Sequence, residues 1–170
     1  MTGPADEQVE VVDSGGRVLG VVTRAEVRAR NLRHRCVFIA VLTGDHRLVV
    51  HRRSPDKDVW GDRWDLAAGG VAAVGETWDD AAARELAEEL GIAGVPLVPI
   101  GDGAFDDDDV SLIARVYLAV TDQPVRFADG EVVEARTVGG AGLAALLRDE
   151  VFVPDSVEIV LPLVIERLSD

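Results

Sequence analysis

The sequence contains few of the features that mark membrane or disulfide-stabilised proteins. Cys36 is the only cysteine among 170 residues, so no disulfide can form within the chain. No apolar run approaches the roughly 20 residues needed to cross a bilayer, and residues 1–10 lack the basic and apolar regions of an export signal. We therefore expect a cytoplasmic protein that has no membrane partner.

Positive charge is also scarce. Lysine and arginine number 17 against 31 acidic residues, for a net charge of −14, and Lys57 is the only lysine. Such a surface repels a nucleic-acid backbone, which excludes general nucleic-acid binding. A small phosphorylated substrate would need a bound cation or a local group of arginines. The length and the 48% hydrophobic content fit one domain spanning residues 1–170.

The order of apolar segments and turns predicts a mixture of hairpins and helices, and therefore an α+β fold. Strands are expected over 9–12 and 18–22, which form an N-terminal hairpin over 9–22, and over 36–43, 48–51, 95–100, 111–120 and 132–138. Thr23 and Glu26 have the spacing of a capping box at the start of a short helix. Longer helices are expected over 77–90, 141–148 and 156–168. Thr77 or a neighbour should cap the first of these and Gly91 should close it, and Pro162 should kink the last one or delay its start.

The helix over 77–90 carries an acidic cluster. On a helical wheel Glu85, Glu88 and Glu89 fall together, because residues three and four apart are neighbours. The opposite side, expected to pack on the sheet, comprises Leu86, Leu90, Ala83 and Ala87. Three neighbouring carboxylates repel one another unless a cation lies between them, and Mg²⁺ is a cation that prefers carboxylate oxygens and bridges to phosphates.

An ordinary solvated face is the alternative explanation of these acids. Ala81 and Ala82 count against it, because a solvated face normally carries long polar side chains, and Arg84 can hold a carboxylate in one orientation. Ahead of the helix, Gly69 and Gly70 allow the backbone to approach a ligand closely. Glu76 lies at the start of the helix, where the helix dipole favours a negative charge. A capping role explains Glu76 as well as a functional role does.

These residues together resemble a known signature. Gly70, Glu76 and the segment 84–92, Arg-Glu-Leu-Ala-Glu-Glu-Leu-Gly-Ile, match the Nudix box over residues 70–92 without a departure. The resemblance implies the Nudix fold, an α/β/α sandwich around a mixed β-sheet. It also implies hydrolysis of a phosphoanhydride bond in a small-molecule diphosphate substrate such as a nucleoside diphosphate, a nucleotide sugar or ADP-ribose. A homodimer is an expectation at the level of the family.

The resemblance implies a role for each matching position. Glu85, Glu88 and Glu89, with the carbonyl of Gly70, would bind Mg²⁺ or Mn²⁺. Arg84 and Glu76 would order the site. A later glutamate is often the general base in this family; Glu131 lies at about that position, although a plain turn residue is the alternative.

Three basic residues precede the box. Arg52, Arg53 and Lys57 could supply the positive charge that a diphosphate needs, or could merely pair with surface acids. Arg53 and Lys57 match phosphate-binding positions of the isopentenyl-diphosphate isomerases, and the resemblance extends through the hairpin over 9–22 and residues 32–35. Those isomerases need a catalytic cysteine where this chain has Gly69, so isomerisation is the less favoured function.

A further alternative is a non-catalytic regulatory module that binds ADP-ribose or a nucleotide. The intact Nudix glutamates argue against it. Four other features have ordinary structural explanations beside functional ones. His34 matches an isomerase metal ligand but also suits a strand, and Cys36 is most simply a small apolar residue of a strand. Residues 106–109 form either a solvated loop or a source of a metal ligand. Trp60 and Trp64 either anchor a loop on the core or stack on a base.

Overall fold

The computed structural model describes residues 4–127 and 130–169. Over these residues nine strands form one branched sheet. They are β1 (Gln8–Val12), β2 (Val18–Thr23), β3 (His34–Leu42), β4 (Leu48–Arg53), β5 (Trp64–Asp65), β6 (Ala68–Val71), β7 (Val98–Asp106), β8 (Ser111–Val120) and β9 (Val132–Val138). The helices are α1 (Arg24–Arg30), α2 (Trp78–Leu90), α3 (Gly140–Asp149) and α4 (Leu161–Val164), with 3₁₀ turns at Pro4–Asp6 and Ile165–Arg167 and a π-helical turn at Ser156–Val160.

Strand β3 organises the sheet. It pairs in parallel with β8 along its whole length and antiparallel with β6. Strand β4 meets β3 only at the pair Leu42–Leu48, and otherwise pairs with β5 and β9. The predicted strands over 36–43 and 48–51 therefore separate just after the turn between them, and the mixed sheet splits into two arms, one containing β3 and β8 and the other β4, β5 and β9. The parallel and antiparallel pairs confirm the expected α+β class.

Strand β3 is buried on both faces. Cys36, Phe38 and Leu42 point into one core, which also contains Leu143 of α3 and Val160 of the C-terminal segment. The alternate residues of the strand point into a second core that α2 covers. The nearly continuous apolar run of β3 reflects this double burial. Helices thus cover both faces of the sheet, as the predicted sandwich requires.

Helix α2 begins and ends at its predicted caps. The hydroxyl of Thr77 accepts a hydrogen bond from the backbone N–H of Asp80, and Gly91 closes the helix at φ 65°. Its buried side differs from the prediction, however. Ala83 is exposed and Ala87 half-buried, whereas the buried residues are Ala81, Ala82, Glu85, Leu86, Glu89 and Leu90. The buried stripe thus includes two of the acids.

The other predicted elements form with two exceptions, whereas β5 and β6 were not predicted. The N-terminal hairpin and the Thr23–Glu26 cap form as expected. The strand expected over 95–100 begins only at Val98 and continues to Asp106. The single helix expected over 156–168 is a succession of π, α and 3₁₀ turns. Pro162 explains this, because it lacks the N–H that a continuous α-helix would use there.

Candidate active site

A cavity of about 520 Å³ lies beside the N-terminal end of β3 and the acidic side of α2. It gathers side chains that are distant in sequence. Its lining includes Arg53 at the end of β4, Lys57 and Asp58 from the loop after β4, Gly69 and Gly70 from β6, Arg84, Glu85 and Glu88 from α2, and His34, Cys36, Asp65, Glu131 and Asp155. Four signature residues of the Nudix box thus line one concave site together with two of the three predicted basic residues. Glu76 and Glu89 do not line it but contact the lining residues Arg84 and Lys57.

Glu89 is the most deeply buried acid of this region, with 1% of its surface exposed. Its Oε2 accepts a hydrogen bond from the backbone N–H of Gly69 at 3.0 Å, and the Nζ of Lys57 lies 3.5 Å from its Oε1. Burial raises the pKa of Glu89 to about 8, against the opposing effect of Lys57. An added positive charge next to this carboxyl group would therefore stabilise its ionised form.

Arg84 links the other acids. Its guanidinium donates to both carboxylate oxygens of Glu76 at 2.8 and 2.9 Å, to Glu85 at 2.6 Å and to Glu88 at 3.1 Å. These hydrogen bonds lower the pKa of Glu76, whereas burial raises the pKa of Glu85. Arg84 and Glu76, which the resemblance predicted to order the site, thus form one hydrogen-bonded group with the predicted metal ligands Glu85 and Glu88.

Two glycines let the backbone of β6 approach these acids. A Cβ atom on Gly70 would lie 2.5 Å from the Oε1 of Glu85, and one on Gly69 would collide with the backbone carbonyl of Val37. No side chain fits at either position without rearrangement. The Gly70 backbone consequently borders the Glu85 carboxylate, beside which a cation would bind.

The donor chemistry fits a hard divalent cation. Three glutamates and a backbone carbonyl are oxygen ligands of the kind that Mg²⁺ uses. Over residues 4–127 and 130–169, no three His, Cys, Asp or Glu side chains stand in a ready-made metal-binding arrangement. Instead the positive charge between Glu85 and Glu88 is the guanidinium of Arg84. Metal binding would require these two carboxylates to exchange that partner for the ion.

The three predicted basic residues divide into two groups. Lys57 contacts both Glu89 and Glu131, and Arg53 lies 3.6 Å from Asp65 at the cavity wall. Arg52 is not brought to the cavity; it pairs with Asp62 at 2.7 Å. Neighbouring residues of a strand point to opposite faces, so Arg52 and Arg53 cannot both face the site. Glu131, the predicted base, reaches the cavity beside Lys57.

The structure shows the surroundings of His34, of the acidic loop over 106–109 and of the two tryptophans. His34 is 1% exposed and its Nδ1 lies 2.9 Å from the carbonyl of Leu32; burial lowers its pKa to about 4. Asp106 binds Arg33 and Ser111 at the surface. Trp64 is buried, whereas Trp60 is half-buried, lines the cavity and packs edge-on against Phe105. These contacts favour the structural interpretation of the histidine, the acidic loop and Trp64.

Several residues at or beside the cavity were not predicted from the sequence. Arg24 and Arg28 of α1 hold Asp58 at 3.3 and 3.1 Å, which fixes the loop that carries Lys57. His51 is buried with both ring nitrogens lacking a hydrogen bond among the described residues, 3.9 Å from Glu89. Asp155 is likewise buried at the cavity wall. Only chain packing brings these residues to the site.

Comparison with known proteins identifies the fold and the family. A family model described as the NUDIX domain matches residues 32–152. The chain belongs to the Nudix family of hydrolases. It is 40% identical over 152 residues to a Nudix hydrolase of Pseudomonas aeruginosa, covering 89% of this chain and 90% of that protein. It is 34% identical over 152 residues to the Nudix hydrolase YfcD of Escherichia coli K12, covering 89% of this chain and 83% of YfcD.

Solved structures share the Nudix architecture. A crystal structure of a Deinococcus radiodurans protein superposes with a TM-score of 0.78 at 24% identity, covering 92% of this chain and 99% of that one. The NUDIX domain of NrtR from Shewanella oneidensis, crystallised with ADP ribose, gives a TM-score of 0.62 at 17% identity, covering 86% and 96%. Within the described part of this Nudix hydrolase, no helix is long and apolar enough to cross a membrane.

Proposed function

We propose that this Nudix hydrolase uses Mg²⁺ to cleave a phosphoanhydride bond in a nucleoside diphosphate or a nucleoside diphosphate linked to another group. One observation carries the proposal. Glu85, Glu88 and Glu89 lie at or beside a cavity that also presents Lys57 and Arg53. Diphosphate hydrolysis needs acidic side chains that bind a metal and positively charged side chains that bind phosphate. Both kinds of side chain lie in this one site.

The proposed metal ligands are Glu85, Glu88, Glu89 and the carbonyl of Gly70. When bound, Mg²⁺ neutralises phosphate charge and makes a water molecule more acidic. Arg84, freed from Glu85 and Glu88, stays bound to Glu76 and holds the start of α2 in place.

Lys57 and Arg53 are the proposed phosphate ligands. Their charges would hold the diphosphate while a water oxygen attacks phosphorus and the bridging P–O bond breaks. The leaving phosphate keeps the electrons of that bond. Glu131 is proposed to take the proton of the water, because its carboxylate lies at the cavity beside Lys57.

Glu89→Gln tests the enzyme proposal. We expect kcat with Mg²⁺ to fall by about 10²–10⁴-fold on a panel of nucleoside diphosphates, nucleotide sugars and ADP-ribose, because an amide is a poor metal ligand. Melting temperature should not fall, since glutamine matches the size of a carboxyl group whose pKa burial raises to about 8. Release of phosphate or nucleoside monophosphate measures activity.

Glu150→Gln is the control, because Glu150 is exposed and lies outside the cavity. It should behave as the wild type. Tight nucleotide binding by the wild type without turnover would instead support the regulatory module. Conversion of isopentenyl diphosphate to its isomer would support the isomerase, although the backbone N–H of Gly69 is committed to Glu89 and no side chain is available there.

A further inference from the structure

His51 is a buried side chain that the proposed hydrolysis does not use. It lies in β4 with 0% of its surface exposed, and neither ring nitrogen has a hydrogen-bond partner among the described residues. Such a group is costly, because it has lost its hydrogen bonds to water and gained none from the protein. Packing alone gives no reason for an imidazole here, since the preceding part of the strand is filled by the apolar Leu48, Val49 and Val50.

Strand β4 directs His51 toward the acidic side of α2. Residues two apart on a strand share a face, and Val49 packs in the core that α2 covers. The Nε2 of His51 lies 3.9 Å from the Oε2 of Glu89. Asp65, opposite His51 on β5, contacts Arg53 instead, at 3.6 Å. The carboxyl group of Glu89 is thus the acid that the imidazole faces.

The two oxygens of Glu89 have different surroundings. Oε1 lies 3.5 Å from the Nζ of Lys57, whereas Oε2 accepts a hydrogen bond from the backbone N–H of Gly69 at 3.0 Å. Oε2 can accept a second hydrogen bond, because a carboxylate oxygen has two lone pairs. Burial, opposed by the charge of Asp65, lowers the pKa of His51 to about 4, and a neutral imidazole has one N–H to donate. A movement of about 1 Å would bring an N–H on Nε2 within hydrogen-bonding distance of Oε2.

We propose that His51 is a positioning residue of the metal site, whose Nε2–H donates a hydrogen bond to the Oε2 of Glu89 when the cation is bound. The inference rests on the proposed function, because it takes Glu89 as a ligand of the metal ion. Gly69 and His51 together hold Oε2 and leave Oε1, the oxygen nearer Lys57, to the ion. Partners of this kind fix the orientation of a metal-binding side chain and strengthen metal binding.

His51→Leu and His51→Gln separate positioning from packing. Leucine is apolar and has no donor, whereas glutamine places an amide N–H near the position of Nε2. The metal-free protein is titrated with Mn²⁺, and the free ion is followed by electron paramagnetic resonance. The leucine variant should bind Mn²⁺ about tenfold to hundredfold more weakly than the wild type, and glutamine should restore most of that loss. The melting temperature of metal-free His51→Leu should equal or exceed that of the wild type, because an unpaired polar group has been removed.

His46→Asn is the matched control and should bind Mn²⁺ as the wild type does. His46 is exposed, lies outside the cavity and has a left-handed backbone that asparagine adopts readily. If the wild type binds no Mn²⁺, or if Glu89→Gln binds it as tightly as the wild type, the proposed metal site fails, and this inference with it. The inference alone fails if Glu89→Gln weakens binding while His51→Leu does not, or if glutamine at position 51 restores none of the loss.

A measurement on the unaltered protein covers the case in which both His51 variants fail to fold. Heteronuclear NMR follows the ring nitrogens of the three histidines, His34, His46 and His51, as Mg²⁺ is added to saturation. We expect His51 to carry its proton on Nε2 and the signal of that proton to move downfield, because the hydrogen bond to Glu89 forms. A bare Nε2, or an Nε2–H signal that Mg²⁺ leaves unchanged, would show that His51 does not position Glu89.

Discussion

At the scale of single residues, the proposed phosphate-binding part of the site contains one lysine. Lys57 is the only lysine of the chain, its side chain is 14% exposed, and it contacts both Glu89 and Glu131. An ammonium group beside two carboxyl groups can also donate hydrogen bonds to a phosphate oxygen. A protein of net charge −14 thus keeps a basic residue where the phosphate groups of the substrate are proposed to bind.

Lys57→Met should weaken substrate binding. We expect kcat/KM for the diphosphate substrate to fall by about tenfold to hundredfold, mainly through KM, because a charge-assisted hydrogen bond to phosphate is lost. Steady-state kinetics with saturating Mg²⁺ measure the change. Arg52→Met is the control: Arg52 pairs with Asp62 and does not line the cavity, so its KM should match the wild type. The opposite ranking of the two variants would show that phosphate binds elsewhere.

At the scale of elements, α2 presents the acids because both of its ends are well defined. Thr77 caps the start and Gly91 adopts the left-handed conformation at the end, so Glu85 and Glu89 fall on the buried stripe. Packing of Leu86 and Leu90 against the sheet then fixes the orientation of the helix about its own axis. The caps and the apolar residues are therefore as important to the site as the acids.

Gly91→Ala should destabilise the protein by about 1–3 kcal/mol, because a Cβ there adds left-handed strain to a contact 2.8 Å from the Cβ of Arg126. Gly94→Ala is the matched control. Gly94 has a similar φ of 71°, but nothing lies within 4 Å of its added Cβ. Urea unfolding compares the two. A cost for Gly91→Ala no larger than that for Gly94→Ala would mean that the contact with Arg126 is unimportant.

The loop after β4 is the second element on which the site depends. Asp58 binds Arg24 and Arg28 of α1, and the backbone N–H of Ser54 donates to the carbonyl of Glu131. These contacts fasten the loop at two places. Lys57, which lies between the two fastened residues, is thereby kept over Glu89.

At the scale of the whole molecule, buried acids oppose folding when no metal is bound. Burial raises the pKa values of Glu89 and Asp155 to about 8, from ordinary values of 4.5 and 3.8. The folded state therefore holds protons that the unfolded chain releases between about pH 4 and pH 8. The stability that comes from these protons is complete below the ordinary pKa values and is lost as the pH rises toward 8.

We expect the melting temperature of the metal-free protein to fall by roughly 5–10 °C between pH 5.5 and pH 8, at about 1–2 kcal/mol for each of the two groups. Calorimetry in the presence of a chelator measures this trend. The double variant Glu89→Gln, Asp155→Asn should lose most of the slope, because neither replacement titrates. The same slope in the double variant would show that other groups control the pH dependence.

Local sequence determined much of this protein. Neighbouring residues are enough to predict the Nudix signature over residues 70–92, the caps of α2 and the boundaries of β8 and β9. Such features depend on backbone geometry with a fixed repeat, so a short segment contains the information. The class of the fold followed from the order of those segments.

Only the tertiary structure decided which side chains share the cavity. Arg52 and Arg53 are adjacent and chemically identical, yet the orientation of β4 brings only Arg53 to the site. The exposure of Ala83 and the approach of Lys57 to Glu89 depend likewise on how α2 and a loop pack on the sheet. Asp155 joins the cavity through chain packing alone, because contacts between distant segments have no fixed spacing in sequence.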